Sequence, residues 1–270
     1  MTSVVIPEHS PHKIEPLPGV KLIKPPTFLK QTTEKVNPRR IVIGGSSANP
    51  THLDHHSLLE DIRFSDLDFG WLIWIPCGER PDKHFAVCSN CLVGPDDYCH
   101  ICTNHRIAMT EMTVGSFRQS ASLPYFSIWY DDVFGQNTPT IVWLQRLVEM
   151  YPQAEITWVT GADSVVPQER FGGKNEIQAQ WQEGEELWQS QRWKWLIFRR
   201  AGYSLEDCRL PDNAEVRQLT DNHGTSSSLI RSLIASGNPL WETMVATEVA
   251  DYIKQWRLYG YKEKSCLNHL

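Results

Sequence analysis

The sequence has no uninterrupted run of 18 apolar residues, so it offers no transmembrane span. It has no excess of positive charge either. Its 26 Lys and Arg stand against 32 Asp and Glu, a net charge of −6. That balance argues against a nucleic-acid-binding surface or a membrane-surface protein. The first residues lack the charged start and apolar middle of a secretory leader, and no segment repeats. Cysteine is scarce and odd in number, at seven. Four of the seven fall into two C-x-x-C pairs, which argues for a reducing compartment, the cytoplasm, and for a metal rather than a disulfide framework.

What is present suffices for one well-buried core, or one core plus a small appendage: 270 residues at 41% hydrophobic content. The eleven tryptophans gather toward the second half and read mostly as core and partner surface. Residues 1–38 differ from the body, 39–270. The first forty residues hold seven of the 17 prolines, and seven Lys/Arg against three Glu. A segment such as EPLPGVKLIKPPTFLK cannot form a regular helix, because proline removes donors and restricts its neighbour. It reads as an extended arm lying across the body through Val20, Leu22, Ile23 and Phe28, or else as a disordered tail.

From Arg39 onward, apolar strands alternate with helical patterns. Strands are expected at 41–43, 69–78, 124–132, 155–163, 194–203 and 214–221. Helices are expected at 52–62, 104–112, 138–152, 227–237 and 247–260, with Pro139 in the first turn of the third. Continuous apolar strands separated by helices predict an α/β fold, a doubly wound parallel sheet covered on both faces. Such sheets bind ligands at the carboxyl ends of their strands.

One stretch stands at such an end. The run Ile41–Ile43 leads into Gly44-Gly45-Ser46-Ser47, then a proline, then His52, His55 and His56. Glycine and serine let backbone N–H groups approach an anion, and a helix N-terminus adds its positive end. His52 and His55 are three apart and share a face, where both can donate to phosphate oxygens. His56 points roughly 100° away from His55 and stands outside the set.

The stretch GSSANPTHLDH resembles the phosphate-binding signature of the HxGH nucleotidyltransferase superfamily. Further segments are similar to one branch, the nicotinate/nicotinamide mononucleotide adenylyltransferases. PCGERPDK resembles a strand-end Pro-x-Gly with a loop lysine, Lys83. HRIAM resembles a helix start with His105 and Arg106. VTGAD supplies Gly161 and Asp163, RRAGY supplies Arg200 and Gly202, and TSSSLIR supplies Ser226, Ser227, Ser228 and Arg231. The matches keep their order from about 41 to 260. Departures are Asp54, where the family has glycine, Ala48 in the turn, Ser228 for threonine, and a cysteine-rich insertion after Lys83.

The resemblance implies a Rossmann-like nucleotidyltransferase fold and adenylyl transfer. The phosphate of a pyridine mononucleotide attacks the α-phosphorus of ATP, and pyrophosphate leaves. The nucleophile is already an anion, so the protein must align two polyanions and stabilise spreading charge. The expected cationic donors are His52, His55, Lys83, Arg106 and Arg231. Gly45, Ser46, Ser47, Gly161, Asp163, Arg200, Ser226, Ser227 and Ser228 bind nucleotide, with Asp163 on the adenosine side. Trp181 and Trp188 are candidates to stack on the pyridine ring, or equally core. Mg2+ would bridge the ATP phosphates. Glycine at position 54 lets the family's nucleotide lie against the helix, so Asp54→Gly is expected to lower the Michaelis constant for ATP or leave it unchanged.

The insertion, 84–103, carries its own chemistry. Cys88-x-x-Cys91 and Cys99-x-x-Cys102 are separated by seven residues. Four thiolates so spaced fit a tetrahedral structural Zn2+ knuckle. An iron–sulfur cluster or a redox dithiol pair is the rival, and His84 or His100 could replace one thiol. Two alternatives to the adenylyltransferase stay open. One is another HxGH transferase, taking CTP or pantetheine phosphate. The other is a non-catalytic nucleotide-binding protein that docks partners through the knuckle. The sequence leaves a homo-oligomer open.

Overall fold

A computed structural model describes residues 2–4, 20–22, 38–78, 100–115, 117, 125–130 and 138–262. Thr2–Val4 (β1) and Val20–Leu22 (β2) pair in parallel as a separate two-stranded ribbon. The body is built on β3 (Arg40–Ser46), β4 (Trp71–Pro76), β5 (Tyr125–Ile128), β6 (Glu155–Gly161), β7 (Lys194–Phe198) and β8 (Ala214–Arg217). These six form one sheet in the order β5-β4-β3-β6-β7-β8, with every pairing parallel. The helices are α1 (Leu53–Arg63), α2 (His100–Val114), α3 (Thr140–Met150), α4 (Ala162–Val165), α5 (Glu176–Gln180), α6 (Gly184–Gln189), α7 (Ser227–Ala235) and α8 (Thr247–Trp256).

Alternation along the strands feeds two cores, one on each face of the sheet. Ile41 and Ile43 of β3 pack with Ile73, Trp158 and Trp195 beneath α3, α5 and α6. Val42, between them, joins Leu72, Trp74 and Val159 under α1, α2, α7 and α8. Ile43 is fully buried, so cutting it to alanine should cost about 2–5 kcal/mol. Burial on both faces is why these strands read as unbroken apolar runs rather than as alternating ones.

The chain steps from β3 outward to β4 and β5, then returns to β6 on the other side of β3. The strand order therefore reverses between β3 and β6, and in sheets of this kind ligands bind outside the carboxyl ends at that reversal. Ser46 and Gly161 are those two ends. The glycines of β3 are steric requirements there. A Cβ on Gly45 would sit 2.6 Å from the Ile75 carbonyl oxygen, and one on Gly44 would sit 3.2 Å from Val159 Cβ.

Every expected strand and helix from Arg39 onward is found, with shifted ends. The strand expected at 69–78 is Trp71–Pro76, and Gly70 instead donates its N–H to the Arg40 carbonyl at 3.0 Å. The strand expected at 155–163 stops at Gly161, where α4 begins. The strand expected at 194–203 ends at Phe198, so Arg200 and Gly202 lie in the following turn. The helix expected at 104–112 starts earlier, at His100. The backbone at Cys102 is therefore helical, and the insertion does not run as loop to 103. Lys83, Cys88, Cys91 and Cys99 lie outside the described residues, as does most of the arm. No helix among the described residues is long and apolar enough to cross a membrane.

Candidate active site

The turn from β3 into α1 is held from outside by its carbonyl groups. Arg106 Nε donates to the Ser47 oxygen at 2.9 Å, and the same guanidinium reaches the Cys77 carbonyl after β4. Arg231 Nη1 donates to the Asn49 oxygen at 2.6 Å. Ser227 Oγ donates to the Pro50 oxygen at 2.9 Å, and the Tyr259 hydroxyl donates to Asn49 Oδ1 at 3.0 Å. Inside the turn, Ser46 Oγ accepts the Ala48 N–H at 3.1 Å. Ala48 is buried with φ 49°, a left-handed backbone that alanine rarely adopts, and the Asn49–Pro50 bond is cis.

Two of the expected phosphate donors also hold the turn. Arg106 is only 2% exposed and lies under the turn, bonded to two backbone carbonyls. It braces the site from below, because a buried guanidinium needs acceptors and the turn presents them. Arg231 splits its guanidinium between the Asn49 carbonyl and Ser228 Oγ, the latter at 3.2 Å. It ties α7 to the turn.

The histidines do sit together. His52 is the N-cap of α1, with φ −140°, and its N–H donates to His55 Nδ1 at 3.2 Å. The two ring centroids are 3.8 Å apart, and His55 meets the edge of Trp74 at 5.7 Å. Burial pushes the His52 imidazole well below the ordinary histidine range, helped by His55, Arg200 and His223. Burial, with Arg200 nearby, brings His55 down to about 3. Both rings are therefore neutral at pH 7, which corrects the expectation of imidazolium cations. Because His55 Nδ1 accepts a hydrogen bond, its proton resides on Nε2, the nitrogen left to donate. His56 stands apart as expected, its Nδ1 3.7 Å from Glu60 and its ring tilted against Phe117 at 5.0 Å.

A second polar cluster joins this one from the far side. The Asp54 carboxylate, 4% exposed in the first turn of α1, accepts the N–H groups of His223 and Thr225, each at 2.9 Å. Arg200 Nη2 lies 3.7 Å from it and donates to the Thr225 carbonyl at 2.7 Å. Arg200 Nη1 donates to Asp163 Oδ2 at 3.1 Å. Thr225 Oγ1 is 2.9 Å from His52 Nδ1. The next residue, Ser226, is the N-cap of α7 and accepts the Leu229 N–H at 3.2 Å. Gly161 lies alongside, where a Cβ would come within 2.9 Å of Arg200 Cδ.

Two helix N-termini, those of α1 and α7, are thereby stitched to one turn. Their first N–H groups have no intrahelical partner and carry partial positive charge. The two described carboxylates in the cluster, Asp54 and Asp163, both face Arg200. Among the described residues no group of three or more His, Cys, Asp or Glu is placed to hold a metal ion. The arrangement suits a polyanion.

The tryptophan candidates separate. Trp188 is 4% exposed and packs on Trp195 at 4.9 Å, so it belongs to the core. Trp181 is partly buried, edge-on to Trp158 at 6.0 Å. Thr225 and Tyr259 were not anticipated. Thr225 opens the TSSSLIR segment, but the resemblance gives it no role, and Tyr259 lies 210 residues from its partner.

No protein-family model matches the chain. A protein from Prosthecochloris aestuarii named probable nicotinate-nucleotide adenylyltransferase is 28% identical over 228 residues, covering 82% of this chain and 98% of the relative. One of the same name from Leifsonia xyli is 28% identical over 230 residues, covering 85% and 98%. A Plasmodium falciparum nicotinic acid mononucleotide adenylyltransferase complexed with NaAD superposes with a TM-score of 0.59 at 19% identity, over 84% of this chain and all of that one. The same enzyme complexed with APC gives 0.57 at 16% identity, with the same coverage. The chain is, over most of its length, a homologue of proteins named nicotinate-nucleotide adenylyltransferases, on a fold it shares with a solved enzyme of that activity.

Proposed function

We propose that this chain is an adenylyltransferase of NAD biosynthesis, joining ATP to a pyridine mononucleotide and releasing pyrophosphate. The observation that carries the proposal is the pair of helix N-termini, α1 and α7, tied to one Gly-Ser turn where the strand order reverses. The names of the relatives favour nicotinate mononucleotide as the substrate to assay first.

The reaction needs alignment more than a base, since the attacking phosphate is already ionised. Ser46 and Ser47, with the N–H groups of the turn, receive the phosphates of ATP. Neutral His55 donates from Nε2 to an oxygen of the reacting phosphate, and His52 holds Thr225 in place. Ser226, Ser227 and Ser228 present the α7 terminus to the leaving pyrophosphate, with Arg231 and Lys83 adding charge. Mg2+ would enter on the ATP phosphates, held by substrate and water oxygens, and would neutralise charge there. Asp163 and Arg200, beside Gly161, face the adenosine, and Trp181 offers a ring to the pyridine. A preorganised donor at developing charge contributes on the order of 10²–10³ in rate.

Cys88, Cys91, Cys99 and Cys102 would hold a structural Zn2+, supported by their spacing alone, and thiols kept out of disulfides for that purpose suit a reducing, cytoplasmic setting. Pyrophosphate release from ATP with each mononucleotide tests the function. Release with nicotinate or nicotinamide mononucleotide is the expected result. Nucleotide binding without release would leave a non-catalytic binding protein.

A further inference from the structure

Asp54 is a residue at this site whose contacts the sequence does not foretell. It stands in the first turn of an 11-residue helix and is almost fully buried, yet none of its described contacts belongs to that helix. Both oxygens accept main-chain N–H groups from the segment before α7, and the nearest cation is Arg200. An acid here carries negative charge into a place built for anions. That charge is compensated locally, by two N–H donors, Arg200 and the positive end of α1.

Thr225 is consequently held three ways: by its N–H to Asp54, its carbonyl to Arg200 and its hydroxyl to His52. His223 adds a fourth tie, its ring nitrogen 3.5 Å from Ser57 Oγ on α1. One residue further on, Ser226 caps α7, and Ser227 reaches back to the Pro50 carbonyl. The start of α7 is thus fixed to α1 through Thr225 and to the turn before α1 through Ser227. Of these two, the Thr225 latch is the one that passes through a buried acidic side chain.

We propose that Asp54 is a positioning residue for triphosphate binding: by latching His223 and Thr225 to α1 it sets the spacing of the α1 and α7 N-termini that receive the phosphate chain. This rests on the adenylyltransferase reading for its substrate, but not for its geometry. Without the carboxylate, two N–H groups lose their acceptor and the α7 cap moves relative to the turn. The effect should fall on the phosphate chain, since the residues Asp54 latches lead directly into the α7 N-terminus.

The test uses the full-length protein, with Asp54→Ala, Asp54→Asn and Thr225→Val beside the wild type. Binding of inorganic tripolyphosphate is read by calorimetry, and turnover is read with ATP and mononucleotide varied separately. Asp54→Ala should weaken tripolyphosphate and raise the Michaelis constant for ATP at least tenfold, while that for the mononucleotide changes by less than about twofold. Asp54→Asn keeps one acceptor and should fall between Asp54→Ala and the wild type. Thr225→Val loses only the hydroxyl link and should shift the same constants by a smaller factor. If Asp54→Ala does not fold, the asparagine and valine variants carry the same comparison. Unchanged tripolyphosphate affinity with a lower melting temperature would make the latch merely structural and overturn the proposal. Tighter ATP binding by Asp54→Ala would also overturn it, since the carboxylate would then be obstructing the nucleotide. A wild type that binds tripolyphosphate but releases no pyrophosphate would sink the reaction reading and leave the latch standing.

Discussion

Replacing Arg106 by leucine should damage stability before it damages chemistry. The side chain is 2% exposed, and its guanidinium joins two separate loops through the Ser47 and Cys77 carbonyls. A hydrogen bond to a charged group contributes about 1.5–3 kcal/mol, so two lost bonds cost about 3–6 kcal/mol, less whatever leucine regains by packing. For a body of this size, each 1 kcal/mol moves the melting temperature by roughly 2–4 °C, so a fall on the order of 10 °C is expected. Lysine should not restore it, because one ammonium cannot present the planar fork that reaches both carbonyls. Turnover should fall as well, with the Michaelis constants for both substrates rising together as the turn loosens. Differential scanning calorimetry and steady-state kinetics on Arg106→Leu and Arg106→Lys decide the matter. A melting temperature within about 2 °C of wild type, with only the ATP constant raised, would refute the reasoning and make Arg106 a phosphate ligand after all.

Gly45→Ala should destabilise by about 1–3 kcal/mol, because its Cβ meets the Ile75 carbonyl, a main-chain atom that cannot rotate away; urea titration measures it. His55→Ala should cut turnover by on the order of 10²–10³, and should lower the melting temperature too, since the ring is buried against Trp74 and accepts the His52 N–H; near-normal turnover would remove His55 from the mechanism. Stability should fall on acidification below about 6.5, because His52, His55 and His105 stay neutral in the fold while the unfolded chain takes up their protons. Each contributes up to about 1.4 kcal/mol per pH unit until its own folded value, about 3 for His55 and about 4 for His105, where the loss levels off. Urea midpoints at pH 7.5 and pH 5 that coincide would contradict that burial. Metal analysis of protein purified under reducing conditions should find about one zinc per chain, lost in Cys91→Ser plus Cys99→Ser; metal-free wild type would favour a redox pair.

The sheet was legible because its strands are buried on both sides, and continuous apolar runs such as WLIWIP survive any uncertainty of register. From 164 to 193 the sequence shows two candidate tryptophans, Trp181 and Trp188, but no secondary structure. Its helices, Glu176–Gln180 and Gly184–Gln189, are too short to display a period. The phosphate turn was legible from its Gly-Gly-Ser-Ser composition and the histidine spacing. The duties of Arg106 and Asp54 were not, for a common reason. Their partners lie 29 and 59 residues away for one and 169 and 171 for the other. Local sequence names a donor or an acceptor, but only the fold says what it faces. The expectation for Asp54→Gly changes accordingly. Glycine would unhook His223 and Thr225, so its ATP constant should rise, not fall.

The turn at residues 46–52 also has a consequence for when the protein becomes competent. Its side-chain supports come from Arg106, Ser227, Arg231 and Tyr259, and the last of these is near the end of the described body. A growing chain emerging from the ribosome would complete β3, β4 and β6 long before Tyr259 is made, and would hold a sheet with a slack turn. Contacts of such sequence separation close late, since their loop entropy is overcome only when the intervening parts are already docked. Nucleotide affinity would then arrive as the last event of folding, and a nascent or partly unravelled copy would compete with the finished enzyme for neither ATP nor the mononucleotide.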